Sequence, residues 1–120
     1  ALSLVVEEAG AVIGHVAFSP AQISHSDGDW YGLGPISVRK DHQRQGLGRA
    51  LIEAGIAVLT ERGAVGCVLT GNPNIYQRMG FQSDGNLHHA GTADRHVHWC
   101  VINGAPPKGQ LNFAPALDEA

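Results

Sequence analysis

Cysteine, methionine and long apolar runs are what this chain has least of. Cys67 and Cys100 are its only cysteines. Two do not make a disulfide framework, so both read as plain buried thiols of a reducing cytosol. No stretch approaches the about 20 apolar residues of a membrane-spanning helix. No cationic start leads into the short apolar core that marks a signal peptide. A cytoplasmic protein with no membrane partner is the expectation. Met79 is the single methionine and Ala1 the first residue, which fits either a removed initiator or a fragment. Charged residues reach only 16% against 43% hydrophobic, the reverse of a disordered chain. Positive charge is scarce too: 8 Lys and Arg against 11 Asp and Glu leave a net charge of −3. A basic face for nucleic acid is therefore not expected. Glycine is plentiful, at 16, but lacks the three-residue period of collagen. The 120 residues fit one domain, 1–120, large enough to bury a core.

Hydrophobic spacing divides the chain into alternating elements. Leu2 to Glu8 and Ala11 to Phe18 read as a hairpin turned at Ala9-Gly10. Pro20 to Trp30 is expected to be a loop, rich in Ser, Asp and Gly. Tyr31 to Val38 follows as a strand, with Gly32, Gly34 and Pro35 predicting a bulge or an edge. A polar turn, Arg39 to Gln45, leads into Gly46-Leu47-Gly48 and a helix to Arg62. Leu47, Leu51, Ala54 and Val58 form its apolar stripe, and Ala50, Ile52, Ile56 and Leu59 widen it, so cover on most sides is expected. Gly63 is a natural stop. Val65 to Thr70 reads as an interior strand and Asn74 to Met79 as a short helix ended by Gly80. Phe81 reads as a core anchor and residues 84–94 as loop. Arg95 to Ile102 alternates as a strand, with Val97, Trp99 and Val101 on one face and His96, His98 and Cys100 on the other. One further short strand is expected in the tail after Pro106-Pro107.

The central feature is a strand that runs into a glycine turn opening a helix, Val38 to Leu51. A helix start leaves about four backbone N–H groups without internal partners, at the positive end of the helix dipole. Glycines there let an oxyanion approach closely, so a phosphate or pyrophosphate is the natural ligand. The dinucleotide fingerprint fails, because Leu51 stands where a third Gly or Ala belongs; the P-loop fails, because Gly48 is followed by Arg49-Ala50. On glycine spacing alone, a turn that merely packs a helix on a sheet is an equal alternative.

Gln43-x-x-Gly46-x-Gly48 is similar to the acetyl-coenzyme A signature of the GCN5-related N-acetyltransferases, Arg/Gln-x-x-Gly-x-Gly/Ala. The flanks Leu33-Gly-Pro-Ile-Ser-Val38 and Gly48-Arg-Ala-Leu-Ile52 carry the same resemblance, as does Tyr76-Gln-Arg-Met-Gly80-Phe81 downstream. Gly71-Asn-Pro73 resembles the small predicted N-acetyltransferase branch. The likeness spans residues 2–84. It implies an α/β fold, an acyl-coenzyme A N-acyltransferase-like mixed sheet flanked by helices and shortened at its N-terminus. It also implies acetyl-coenzyme A as co-substrate. The pyrophosphate would sit on the amides of Arg44, Gln45, Gly46, Leu47, Gly48 and Arg49, with Gln43 as the first motif residue. Pantetheine would pair with Ile36, Ser37 and Val38 like an added strand, one amide polarising the thioester carbonyl. Arg39, Arg44 or Arg49 would reach the phosphates, and Tyr76 would protonate the departing thiolate. Asn72 reads more simply as a turn residue before Pro73.

The implied reaction is direct acetyl transfer to an unidentified primary amine, on a small molecule or a peptide. Its general base is not assigned, since Tyr31 to Val38 holds no Asp or Glu. Asp27, Asp29, His25, Glu7 and the later histidines are the candidates, each with a surface or turn role as the simpler alternative. The family's first strand and following helices have no room before Leu2, which would expose a sheet edge and predicts a homodimer. A non-catalytic acyl-coenzyme A-binding or assembly domain is the alternative function. A third reading, metal binding by His88, His89, His96, His98 and Asp94, lacks any zinc motif and yields to a polar strand face. His15 and His42 are scattered, and Cys100 lacks a neighbouring base in sequence to make it a nucleophile.

Overall fold

A computed structural model describes residues 2–26 and 28–113. The chain opens with β1 (Leu2–Glu8) and β2 (Ala11–Ile23), antiparallel and joined at Ala9-Gly10. Leu2, Leu4 and Val6 turn toward the core, while Ser3, Val5 and Glu7 face out. β2 runs to Ile23 rather than ending at Phe18, and takes in Pro20 from the expected loop. Its partners explain this. β1 pairs with β2 as far as Phe18, and β7 (Gly109–Phe113) takes over the same edge from Ala21 to Ile23. Pro20 stands in the gap between them, where a missing N–H breaks no ladder on that edge.

β3 (Trp30–Val38) lies antiparallel to β2 on its other edge. The register slips by one residue between the pairs Val16–Ile36 and Phe18–Leu33, and the extra residue falls at Gly34-Pro35, a cis peptide. The expected interruption is thus a bulge. β4 (Gly66–Thr70) runs parallel to β3, and β6 (Val97–Val101) antiparallel to β4. β5 (Leu87–His88), inside the stretch expected to be loop, pairs parallel with β7. The result is a seven-stranded mixed sheet in the order β5-β7-β2-β3-β4-β6, with β1 beside β2.

α1 (Leu47–Glu61) packs on one face of this sheet and stops before Gly63. Its buried face is Leu51, Ile52, Gly55 and Leu59, so the stripe is displaced by one residue from the expected one. Ala54 is exposed and Val58 half-buried, and the helix is covered on one side rather than on most. Gly55 explains the displacement: a Cβ there would overlap the Phe18 ring, so the absent side chain lets α1 settle onto β2 at that point. α2 (Pro73–Tyr76) continues into a 3-10 turn, Gln77–Met79, and ends at Gly80. Asn72 caps α2, its Oδ1 accepting from the Asn74 N–H at 2.9 Å, a contact of the kind worth about 1 kcal/mol.

Two apolar clusters form, one on each sheet face. Val16, Phe18, Leu51, Leu59, Leu69 and Phe81 lie under α1. Trp30, Val68, Leu87, Val97, Trp99 and Leu111 make the other. Phe81 is the buried anchor the sequence suggests. β6 divides its faces as the alternation predicts, with Val97 and Trp99 in the second cluster and Cys100 against the first. One face is not polar, however. His98 is fully buried, with the Tyr76 ring tilted against it at 6.0 Å. Arg95 and His96 belong to a 3-10 turn, Asp94–His96, ahead of the strand.

Candidate functional site

β3 and β4 pair only from Trp30–Gly66 to Gly32–Val68. Beyond that point β3 continues to Val38 and β4 to Thr70 with no pairing between them. Among the described residues, the β4-facing edge of β3 from Leu33 to Val38 has no strand partner. Backbone N–H and C=O groups on such an edge seek one. Ile36, Ser37 and Val38 lie on this open stretch. The glycine turn follows β3 in the chain, and the corner that carries α2 follows β4.

The turn is built from backbone geometry. After a 3-10 turn at Lys40–His42, Arg44 (φ 65°) and Gly46 (φ 81°) adopt left-handed conformations, and α1 starts at Leu47 without a side-chain cap. Left-handed residues beside right-handed ones point successive N–H groups to one side, the concave nest that receives anions. At Arg44 that conformation costs about 1–2 kcal/mol, which glycine would not. Gly48 faces β3: a Cβ there would lie 3.8 Å from Ile36 Cδ1 and 4.0 Å from Val38 Cγ2. The helix start therefore sits directly over two of the three strand residues.

Side chains fasten this turn to the sheet. Gln43 Nε2 donates to the Val38 carbonyl at 2.9 Å, and the Arg39 N–H donates to the Ile13 carbonyl at 2.8 Å. The His42 ring lies between Asp41 Oδ1, 2.9 Å from Nδ1, and Glu8 Oε2, 3.2 Å from Nε2, joining the turn to β1. The hydrogen bond from His42, aided by the Arg39 charge, holds the Asp41 carboxyl below its ordinary pKa. Arg39 pairs with Asp41 at 3.2 Å and Arg49 with Glu53 at 2.9 Å, both in water-exposed settings that contribute little stability. Among the described residues Arg44 makes no ion pair, so its charge is open to a ligand.

Tyr76, the last residue of α2, is half-buried. Its ring lies on Gly71, where a Cβ would collide with it. The Phe81 ring meets it edge-on with centroids 6.3 Å apart, and the His98 ring is tilted at 6.0 Å. Among the described residues the Tyr76 hydroxyl has no hydrogen-bond partner. Sequence reasoning names Gly71 in a family-like motif and His98 as a metal or base candidate, but does not join the two. Their link, His98 Nε2 to the Gly71 carbonyl at 3.0 Å, spans 27 residues, and no local pattern signals it.

Among the candidate bases His98 lies beside Tyr76, whereas the carboxylates and His25 do not gather here. Asp29 and His25 are exposed at the entry to β3, where β3 and β4 are still paired, and Glu7 is exposed on β1, with β2 between it and β3. Asp27 lies outside the described residues. His88 pairs with Asp94 at 2.8 Å on the surface and His89 with Thr92 at 3.0 Å. Among the described residues no three His, Cys, Asp or Glu side chains form a metal-holding group. Cys67 and Cys100 face each other across β4 and β6 as free thiols, and burial pushes both pKa values up, away from the thiolate a nucleophile needs.

A family model described as an acetyltransferase (GNAT) domain matches residues 1–83. The N-acetyltransferase YhbS of Escherichia coli K12, itself described as uncharacterized, is 38% identical over 79 residues, 66% of this chain and 47% of its own. The chain thus spans about half the length of the curated relatives it matches. A GNAT-family acetyltransferase from Brucella melitensis, solved with acetyl-coenzyme A, is 39% identical with a TM-score of 0.78, covering 97% of this chain and 68% of that one. YhbS from Escherichia coli, solved with coenzyme A, superposes with a TM-score of 0.82 at 31% identity, covering 93% and 66%.

Proposed function

Because the chain belongs to the GNAT acetyltransferase family, we propose that it transfers the acetyl group of acetyl-coenzyme A to a primary amine, by direct attack and without a covalent enzyme intermediate. The observation that carries this is the edge of β3 from Leu33 to Val38, unpaired among the described residues and leading into a left-handed glycine turn; the Tyr76 hydroxyl, also without a partner among the described residues, supplies a proton donor. The two neighbours solved with acetyl-coenzyme A or coenzyme A support that ligand.

The residues suit each part of such a molecule. The amides of Arg44, Gln45, Gly46, Leu47, Gly48 and Arg49 receive the pyrophosphate, and Arg44 adds a free positive charge. Gln43 holds the turn against Val38. Ile36, Ser37 and Val38 offer strand-like hydrogen bonds to the amide-bearing pantetheine arm, and one of their N–H groups polarises the thioester carbonyl. The amine nitrogen forms its bond to the acetyl carbon as the carbon–sulfur bond breaks. Tyr76 gives its phenolic proton to the departing sulfur, a phenol of pKa about 10 being matched to a thiol of about 8.5. The amine sheds its proton to water. The acceptor is a small molecule or a peptide.

The same reading takes the 120 residues as one cytoplasmic domain working as a homodimer. The free thiols fit a reducing compartment. The outer edge of β1, unpaired among the described residues, and the exposed Val5 and Val12 beside it fit a second copy.

Calorimetric titration of acetyl-coenzyme A into the 120-residue chain tests the cofactor half of the proposal, with saturable micromolar binding expected. Thiol release is then followed with spermidine, an aminoglycoside, a lysine peptide, a peptide with a free N-terminus and hydroxylamine. Binding without release in any of the five would favour a non-catalytic acyl-coenzyme A-binding domain, a reading that the lack of Asp or Glu on β3 keeps in play. No binding by folded protein would remove both.

A further inference from the structure

His98 is the buried polar group that the proposed reaction does not use. Its side chain is fully enclosed on β6, yet among the described residues it makes a single hydrogen bond, from Nε2 to the Gly71 carbonyl at 3.0 Å. A carbonyl only accepts, so Nε2 carries the proton. Nδ1 is buried without a partner among the described residues. A protonated ring would put both a charge and an unmatched donor among apolar neighbours.

The bond falls at a mechanically decisive place. Gly71 is the first residue after β4 and the seat of the Tyr76 ring. β6 and the turn before it grip Gly71 twice: its N–H donates to the His96 carbonyl at 2.9 Å, and its carbonyl accepts from His98. Asn72, the next residue, caps α2, the helix whose last residue is Tyr76. The imidazole itself lies beside the phenol, centroids 6.0 Å apart and planes inclined by 43°. One side chain therefore fixes both the floor under the Tyr76 ring and a wall beside it, while leaving the hydroxyl untouched.

We propose that His98, donating through Nε2–H to the Gly71 carbonyl, is a positioning residue that sets the Tyr76 hydroxyl for proton donation. This rests on the transferase reading above and extends it to a residue outside the family signature. A proton donor must stand within hydrogen-bond reach of the atom it serves, and small displacements of such a group lower the rate of the chemical step. A residue that acts only by aiming Tyr76 matters only while Tyr76 has a proton to give.

The test is a double-mutant cycle on the full chain, with thiol release from acetyl-coenzyme A measured against the fastest of the five amines and affinity measured by calorimetry. Tyr76→Phe alone is expected to lower kcat about a hundredfold. His98→Leu is expected to lower kcat about tenfold or more with an unchanged Kd for acetyl-coenzyme A. Added to the Tyr76→Phe variant, it should cost nothing further. His98→Gln, whose amide reaches the Nε2 position, should restore most of the rate. His98→Asn keeps the polarity but falls short of Gly71 and should not. The Gln and Asn pair decides the matter if the Leu variant fails to fold. Equal kcat in the Gln and Asn variants, or a His98→Leu loss of the same size with and without the phenol, would overturn the proposal and leave the transferase reading standing. A Tyr76→Phe variant with full kcat would overturn the proposal and the proton-donor role of Tyr76 while leaving acetyl transfer standing; no turnover with any amine would overturn both.

Discussion

The side-chain amide of Gln43 donates to the carbonyl of Val38 at 2.9 Å, fastening the first residue of the glycine turn to the last residue of β3. A turn that must present several amides to one anion has to be held still before the anion arrives, and this bond does so from outside the nest. Gln43→Leu keeps the size and removes the donor. We expect affinity for acetyl-coenzyme A to fall about threefold to tenfold, the range of one exposed hydrogen bond, with little change in melting temperature. Gln43→Arg restores a donor and should bind close to wild type. Calorimetry on the two variants separates anchoring from packing.

Gly46 answers a different question, whether the left-handed turn itself is the anion site. Its φ of 81° excludes ordinary side chains, and no atom lies within 4 Å of where a Cβ would be. A substitution there strains the backbone by about 1–2 kcal/mol without colliding with the protein. Gly46→Ala should therefore unfold at a slightly lower urea concentration and still bind. Gly46→Glu adds bulk and negative charge at the same strain, and binding should be abolished. Equal affinity in the Ala and Glu variants would move the pyrophosphate elsewhere.

How much of this was legible in the sequence divides along the range of the signals. Gly46, Gly63 and Gly80 mark turns by local conformation, and the elements around them stand where expected. The bulge at Gly34-Pro35 was legible for the same reason. Two features were not. The extension of β2 through Pro20 depends on β7, some ninety residues away in the chain, arriving to pair with Ala21 to Ile23. The burial of His98 goes with contacts to Gly71 and Tyr76, distant in the chain, which alternation along β6 alone cannot express. The glycine signature pointed to the turn and its strand, and Gly71-Asn-Pro73 to the corner after β4, but no motif ties Gly71 to His98, and the hydrogen bond between them exists only in three dimensions.

Gly55 reverses a general rule. An interior helix glycine normally gains about 1 kcal/mol of stability when replaced by alanine. Here the added methyl would meet the Phe18 ring, which is itself fully buried and has no room to withdraw. Gly55→Ala should destabilise the fold by about 1–3 kcal/mol, the cost of overpacking a filled core. The companion change Gly55→Ala with Phe18→Leu should recover part of that loss, because the smaller side chain vacates the space. Urea denaturation of the three chains reads the sign directly, and a stabilised alanine variant would mean that α1 does not rest on β2 at this point.

Acid should loosen the turn through Asp41. Its carboxyl accepts from His42 and faces Arg39, so its pKa in the folded chain lies below the unfolded value of 3.8. A carboxylate with a depressed folded pKa contributes stability that is fully present above the unfolded pKa and is lost as pH falls through the folded one. The difference in urea midpoint between the wild-type chain and Asp41→Asn should accordingly be constant from pH 7 down to about pH 5 and vanish toward pH 2. The group is exposed, so added salt should shrink the difference at pH 7 without changing its sign. A gap that persisted at pH 2 would show that the carboxylate's charge is not what Asp41 contributes, and that the turn is held by the uncharged contacts of Gln43 and Arg39 alone.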